Sequence, residues 1–150
     1  MLDACAGLTE DQLAAPVPGT YGPIIATLRH LVQADSFYLW IFSGQQRVLI
    51  PAENTLVVAE LRAANDEHAA GYRELLAGSM DPDQPVTEHG DGWDYTATMG
   101  VRLAQVVHHG SDHRSQVCTA LTNLGIEPPD IDVWAYGRLV GRSGETQPVG

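Results

Sequence analysis

The sequence predicts an all-α fold, an antiparallel four-helix bundle with a long loop or short hairpin before the last helix. Three observations carry that expectation. Three long segments place apolar residues at steps of three and four, the period of one helix face. Clusters of Pro and Gly punctuate the chain between them. At about 1.5 Å of rise per residue the segments reach roughly 33–40 Å, the length of a bundle rather than of a compact mixed domain. The 150 residues, 44% hydrophobic and 18% charged, suit one domain with a sizeable core. That domain is placed at residues 1–142, with 143–150 as a disordered C-terminal tail.

Taken in order, a short helical stretch from Leu2 to Leu13 comes first, interrupted by Gly7. The first long helix runs from about Tyr21 to Phe42, after Pro16-Val-Pro-Gly-Thr20, with Pro23 tolerated in its first turn and Gly44 as a stop. Ile24, Leu28, Leu31, Asp35, Tyr38 and Phe42 form its stripe. The second runs from about Thr55, an N-capping residue, to Ala77, with Gly78 closing it. Leu56, Leu61, Leu75 and Leu76 supply its apolar contacts, and Glu60, Arg62, Asp66, Glu67, Arg73 and Glu74 mark a solvated face. Met80 to Tyr95 is rich in Asp, Pro and Gly and reads as a long loop or short hairpin, with His89-Gly-Asp-Gly-Trp93 as its turn. The third long helix runs from about Thr98 to Leu124 and is closed by Gly125 and Pro128-Pro129. Beyond it, Ile131 to Tyr136 carries aromatic residues suited to packing back on the bundle.

Charge and cysteine content narrow the function classes. The net charge is −11, from 19 acidic residues against 8 basic ones, all Arg, so a strand of phosphates is repelled and nucleic acid is a poor partner. No apolar run approaches the roughly 20 residues that span a bilayer, and the first residues lack the basic and apolar regions of a signal peptide. A cytoplasmic protein is expected. Cys5 and Cys118 stand far apart, so neither a disulfide framework nor a Cys-based zinc site is predicted. Six His remain as the compositional feature to follow.

His109 and His113 lie four apart on the third long helix and so point to one face. They share a stripe with Val106, Val117, Ala120 and Leu124, which turns both toward the interior. On the first long helix His30 shares an inward stripe with Thr27, Ala34, Phe37 and Ile41. Three imidazoles from two helices therefore converge. Such a set suits Zn²⁺, Ni²⁺, Fe²⁺ or Cu²⁺ and leaves coordination positions open for water or substrate. Inward His also serve as hydrogen-bonded core residues, so both readings stand at this point. His108, about 100° round the helix from His109, reads as a rim residue; His68 and His89 read as surface residues, with His89 able to line a site mouth if its loop folds over. Asp35 reads as support for a ligand N–H; Asp112, Gln116 and Arg114 read as solvated or interhelical polar contacts, with orienting a ring nitrogen or contacting a ligand as the alternative for Asp112 and Gln116 and an anion contact as that for Arg114; Cys118 reads as a packed free thiol.

These residues resemble a family. Thr20-Tyr-Gly-Pro-Ile-Ile-Ala-Thr-Leu-Arg-His30-Leu-Val-Gln-Ala-Asp35, His109-Gly-Ser-Asp-His113-Arg-Ser-Gln116 and Leu124-Gly-Ile-Glu-Pro-Pro-Asp130 look like the DinB-like (DinB/YfiT) superfamily of metal-binding four-helix bundles, in order over roughly Leu8 to Trp134. The resemblance implies an up-down-down-up bundle and one divalent metal, most often zinc or nickel, on His30, His109 and His113. The family it resembles includes enzymes that join a low-molecular-weight thiol, of mycothiol or bacillithiol type, to a small-molecule electrophile, alongside many members of unknown activity, and it often forms homodimers; thiol transfer is the leading expectation that the resemblance offers. The absence of Lys and the abundance of Ala and Gly suggest a GC-rich genome and hence a mycothiol context. A metal-dependent hydrolase with Asp35, Asp112 or Glu88 as base, and a non-catalytic metal-binding stress protein, are the alternatives. The chain departs from the family pattern in its first helix, where few residues precede Gly7.

Overall fold

A computed structural model describes residues 1–145 of the chain. The N-terminal helical stretch divides into α1, Leu2–Cys5, and α2, Glu10–Ala14. Gly7 lies in the break. Thr9 then restarts the helix with a reciprocal cap: its hydroxyl accepts the Gln12 N–H at 3.2 Å, and its own N–H donates to Gln12 Oε1 at 2.9 Å.

Three long helices follow, as the periodicity predicts, with boundaries moved by their caps. Pro23 is the N-cap of α3, Ile24–Phe42, so Tyr21 lies ahead of the helix. The next helix, α4, spans Val58–Ala77 and starts three residues beyond Thr55, because Glu60 Oε2 accepts the Val57 N–H at 2.9 Å and fixes the first turn there. The last long helix, α5, spans Met99–Asn123 behind a Thr98 cap. Between α4 and α5 the chain forms β1, Pro85–Gly90, and β2, Trp93–Thr98, an antiparallel pair in which Val86 faces Ala97 and Glu88 faces Tyr95. Of the two forms expected for this segment, long loop or short hairpin, it takes the hairpin, which adds a two-stranded sheet to the mostly helical fold. Val86, Thr87, Tyr95 and Thr96 favour a pleated strand, and Gly92, at φ +78°, takes the turn conformation that side chains resist. A sixth helix, α6, spans Val133–Leu139, but Trp134 and Tyr136 remain 69% and 64% exposed rather than packing back on the bundle. Among the described residues the architecture is thus the three expected long helices, with three short ones in place of the single short one expected, and a hairpin.

The long helices share one core of Ile24, Leu28 and Val32 from α3, Leu61 from α4, and Val117, Ala120 and Leu121 from α5, with Cys5 of α1 beneath them. Early residues of α3 and α4 meet there, while late in both helices Gly71 lies against Leu39, where an added Cβ comes within 3.3 Å of Leu39 Cδ1. Hence α3 and α4 run parallel, and α5, whose late residues join the start of α3, runs antiparallel to both. A parallel pair needs a return path, supplied by residues 43–57. Ser36 Oγ accepts the Ile50 N–H at 3.0 Å, and Arg29 donates to Leu56 O at 2.9 Å and Thr55 O at 3.1 Å, pinning that path to α3. No helix among the described residues is long and apolar enough to cross a membrane. Residues 146–150, most of the expected tail, lie outside the described residues, and Ser143 donates to Trp134 O at 3.2 Å.

Candidate metal centre

The antiparallel seam between α3 and α5 brings His30 against His109 and His113. One potential ligand nitrogen from each ring lies within 4.8 Å of the other two. His30 Nε2 and His109 Nε2 face each other at 3.0 Å. The three ring centroids are 4.6–5.0 Å apart, with ring planes 67–84° apart, so the rings are edge-on to one another around a common space. Tetrahedral zinc with Zn–N bonds of about 2.0–2.1 Å sets its nitrogens roughly 3.3–3.4 Å apart, a spacing inside the 4.8 Å that spans this set.

His113 is held in one tautomer by a chain of hydrogen bonds. Gln116 Oε1 accepts the Tyr21 N–H at 2.9 Å, which fixes the orientation of the Gln116 amide because a backbone N–H only donates. The same oxygen lies 3.0 Å from His113 Nδ1, so Nδ1 carries the proton and Nε2 keeps its lone pair for a ligand bond. Gln116 Nε2 in turn donates to Asp112 Oδ2 at 3.3 Å. Gln116 thus meets a ring nitrogen directly, whereas Asp112 meets the Gln116 amide rather than a ring.

Burial disfavours the charged form of two of the three rings. His113 is 8% exposed, and His30 and His109 are half-buried. Desolvation first, and the neighbouring imidazoles second, push the pKa values of His30 and His109 below the ordinary value. Neutral imidazole is the form that binds metal. The donor set, its spacing and its protonation therefore fit one divalent ion.

Tyr21 is a site residue that helical arithmetic misses, because it precedes α3. Its ring stacks on His30 at 4.5 Å with a 14° tilt and meets the edge of His113 at 5.0 Å, closing that end of the cluster. At the other end Tyr38 lies edge-on to His109 at 6.5 Å. In the sequence Tyr21 stands at the expected start of the first long helix and within the Thr20–Asp35 motif, and neither place marks an aromatic lid.

The other residues singled out lie elsewhere. Asp35 faces away from the imidazoles, between Arg114 and Tyr72 of α4, so it does not support a ligand. Burial raises its pKa to about 6 despite the Arg114 charge, and the Tyr72 hydroxyl lies beside its carboxyl with no acceptor in hydrogen-bond geometry. Glu88 is spent on Arg102, 3.0 Å away, in an ion pair whose side chains are 13% and 5% exposed. Arg114 donates to Ser111 Oγ. His108 is exposed, as expected of a rim residue. His89 pairs with Asp94 across the hairpin at 2.7 Å and lines no part of the cluster. His68 is half-buried rather than a surface residue: its Nδ1 has no partner, and desolvation lowers its pKa. Cys5 and Cys118 are free thiols whose pKa values burial raises.

Compared with known proteins, the chain has no match among curated ones. The model of the DinB family matches residues 1–145, a span that takes in α3, α5 and all three converging imidazoles. Sharing that model over nearly its whole length, and carrying a metal-compatible cluster where the long helices meet, the chain belongs to the DinB family.

Proposed function

We propose that the protein holds one divalent ion, zinc or nickel, on His30, His109 and His113 and transfers a low-molecular-weight thiol of mycothiol type to a small-molecule electrophile. The observation that carries this reading is the all-imidazole set at the α3–α5 seam, which has three protein donors and so leaves coordination positions for substrate. When bound, a divalent ion at such a set lowers the pKa of a thiol ligand and so supplies thiolate at neutral pH.

The chain's own residues have separate tasks. Gln116 keeps His113 oriented with its proton on Nδ1. Tyr21 shields the His30 and His113 rings from solvent on one side. Cys5 and Cys118 are packed with raised pKa values, so the nucleophilic sulfur comes from a cosubstrate. Transfer is favoured over hydrolysis because the three carboxylates that a hydrolase would use as base are otherwise engaged: Glu88 with Arg102, Asp112 with Gln116, and Asp35 between Arg114 and Tyr72. In this reading α1 and α2 stand in the place of the family's first bundle helix, ahead of the down-down-up run of α3, α4 and α5.

Metal content by mass spectrometry tests the site, with about one equivalent expected in the native protein and none in a His109→Ala, His113→Ala double variant. Equal, negligible metal in both removes the site. Consumption of mycothiol, bacillithiol or glutathione with a panel of electrophiles tests the transfer. Ester hydrolysis without thiol consumption moves the reading to a hydrolase.

A further inference from the structure

The seam that holds the imidazoles continues past them. On α5, Gln105 and Arg102 lie one and two turns before His109 on the same side; on α3, Phe37 and Tyr38 lie two turns beyond His30. There the β1–β2 hairpin closes over the seam and leaves a cavity of about 230 Å³ whose walls include Phe37, Tyr38, Tyr95, Val101 and Gln105. The cavity adjoins the cluster through Tyr38, whose ring rests edge-on against His109 with centroids 6.5 Å apart. Tyr21 covers the opposite end of the cluster, and Tyr38 is the wall that cluster and cavity share.

Its chemistry is specific. Three aromatic rings flank it, and rings of this kind hold a flat apolar group by stacked and edge contacts. The charged groups in its wall, Glu88 and Arg102, neutralise each other, and Arg102 also donates to Val86 O and Tyr95 O at 3.3 Å each. An ionic substrate group thus finds no free partner there. The Gln105 amide and the Tyr38 hydroxyl, side by side, are the polar groups left for orienting a ligand. We infer that this cleft is a subsite for an aromatic ring of the substrate, set beside the three histidines by the hairpin and the α3–α5 seam. The inference rests on the metal reading of those histidines.

The test loads the full chain with Co²⁺ and follows its visible absorption during titration with phenylmethanethiol and with 2-mercaptoethanol, a thiol of similar acidity without a ring. The native protein is expected to half-saturate with phenylmethanethiol at an at least tenfold lower concentration, about 1.4 kcal/mol. Val101→Trp fills the cleft from its exposed rim; it is expected to keep cobalt uptake and to bring the two thiols within about twofold. Equal half-saturation in the native protein, or a preference unchanged in Val101→Trp, overturns the subsite. A second arm needs no metal: benzyl alcohol is titrated into the metal-free protein while backbone amide shifts are recorded. Shifts grouped at Tyr95, Ala97, Val101 and Gln105 support the cleft, and shifts absent or placed elsewhere overturn it. Absence of cobalt uptake together with shifts at the hairpin sinks the metal reading and leaves the cleft standing.

Discussion

Gln116 shows how one side chain sets the chemistry of another. Its amide orientation follows from the Tyr21 N–H, and the His113 tautomer follows from that orientation. Gln116→Leu removes the acceptor while keeping the volume, and metal affinity is expected to fall about 10–100-fold with helicity retained, measured by competition with a chromophoric chelator. Unchanged affinity removes Gln116 from the site's support. Asp35 makes a second prediction. Burial raises its pKa from 3.8 to about 6, so the folded state binds its proton more tightly than the unfolded chain does. The resulting stability is fully present below pH 3.8 and is lost as pH rises through about 6. At pH 8 Asp35→Asn is therefore expected to be more stable than the native protein, by on the order of 2–3 kcal/mol, with the gain vanishing near pH 3.5; urea melts at both pH values check it. At this scale the sequence is informative where a residue sits on a regular helix: steps of three and four found His30, His109 and His113, while Tyr21, off the helix end, left no periodic trace. Asp35 falls in the apolar stripe of α3, but nothing in that stripe tells which neighbouring helix it faces.

Among the elements, the long helices were the legible ones because many turns repeat the same pattern, and their ends moved only where a cap not evident from spacing intervened, such as Glu60 at the start of α4. The hairpin was half legible. Asp91-Gly92 announces a turn, yet six-residue strands with mostly exposed faces carry too little alternation to separate them from a loop. What makes the hairpin matter is Arg102, which ties α5 to both strands through Glu88, Val86 and Tyr95. Arg102→Leu leaves the Glu88 carboxylate buried without a partner, and a loss of about 3–5 kcal/mol is expected in chemical denaturation. Replacing both members, Arg102→Leu with Glu88→Leu, is expected to recover most of it, since two apolar side chains leave no uncompensated charge. If the double variant is as unstable as the single one, the pair is a specific clamp on the hairpin rather than a mutual neutralisation.

Across the whole molecule, the three histidines join the N-terminal half of α3 to the middle of α5, elements separated in sequence by α4 and the hairpin, so an ion bound there links folding to metal. An ion that binds the folded chain a thousandfold above its Kd adds about 4 kcal/mol, and for a chain of this length that raises Tm by on the order of 10 °C. The pH dependence has a definite sign. His30 and His109 have folded pKa values below 6.5, so their neutral forms favour the fold; that contribution is present above pH 6.5 and is lost as pH falls through the depressed values. Protons also compete with metal for the same nitrogens, so the metal-dependent rise in Tm should be full at pH 8 and absent near pH 4, whereas the Asp35 contribution runs the opposite way. Thermal melts with and without Zn²⁺ at the two pH values read both effects. His30→Ala should abolish the zinc-dependent rise at pH 8 while leaving the acid dependence of Asp35 in place, because the two groups lie on different sides of α3. A rise that survives His30→Ala would show that the ion stabilises the protein from some other place, and the cluster would then be a packed seam of imidazoles rather than a metal centre.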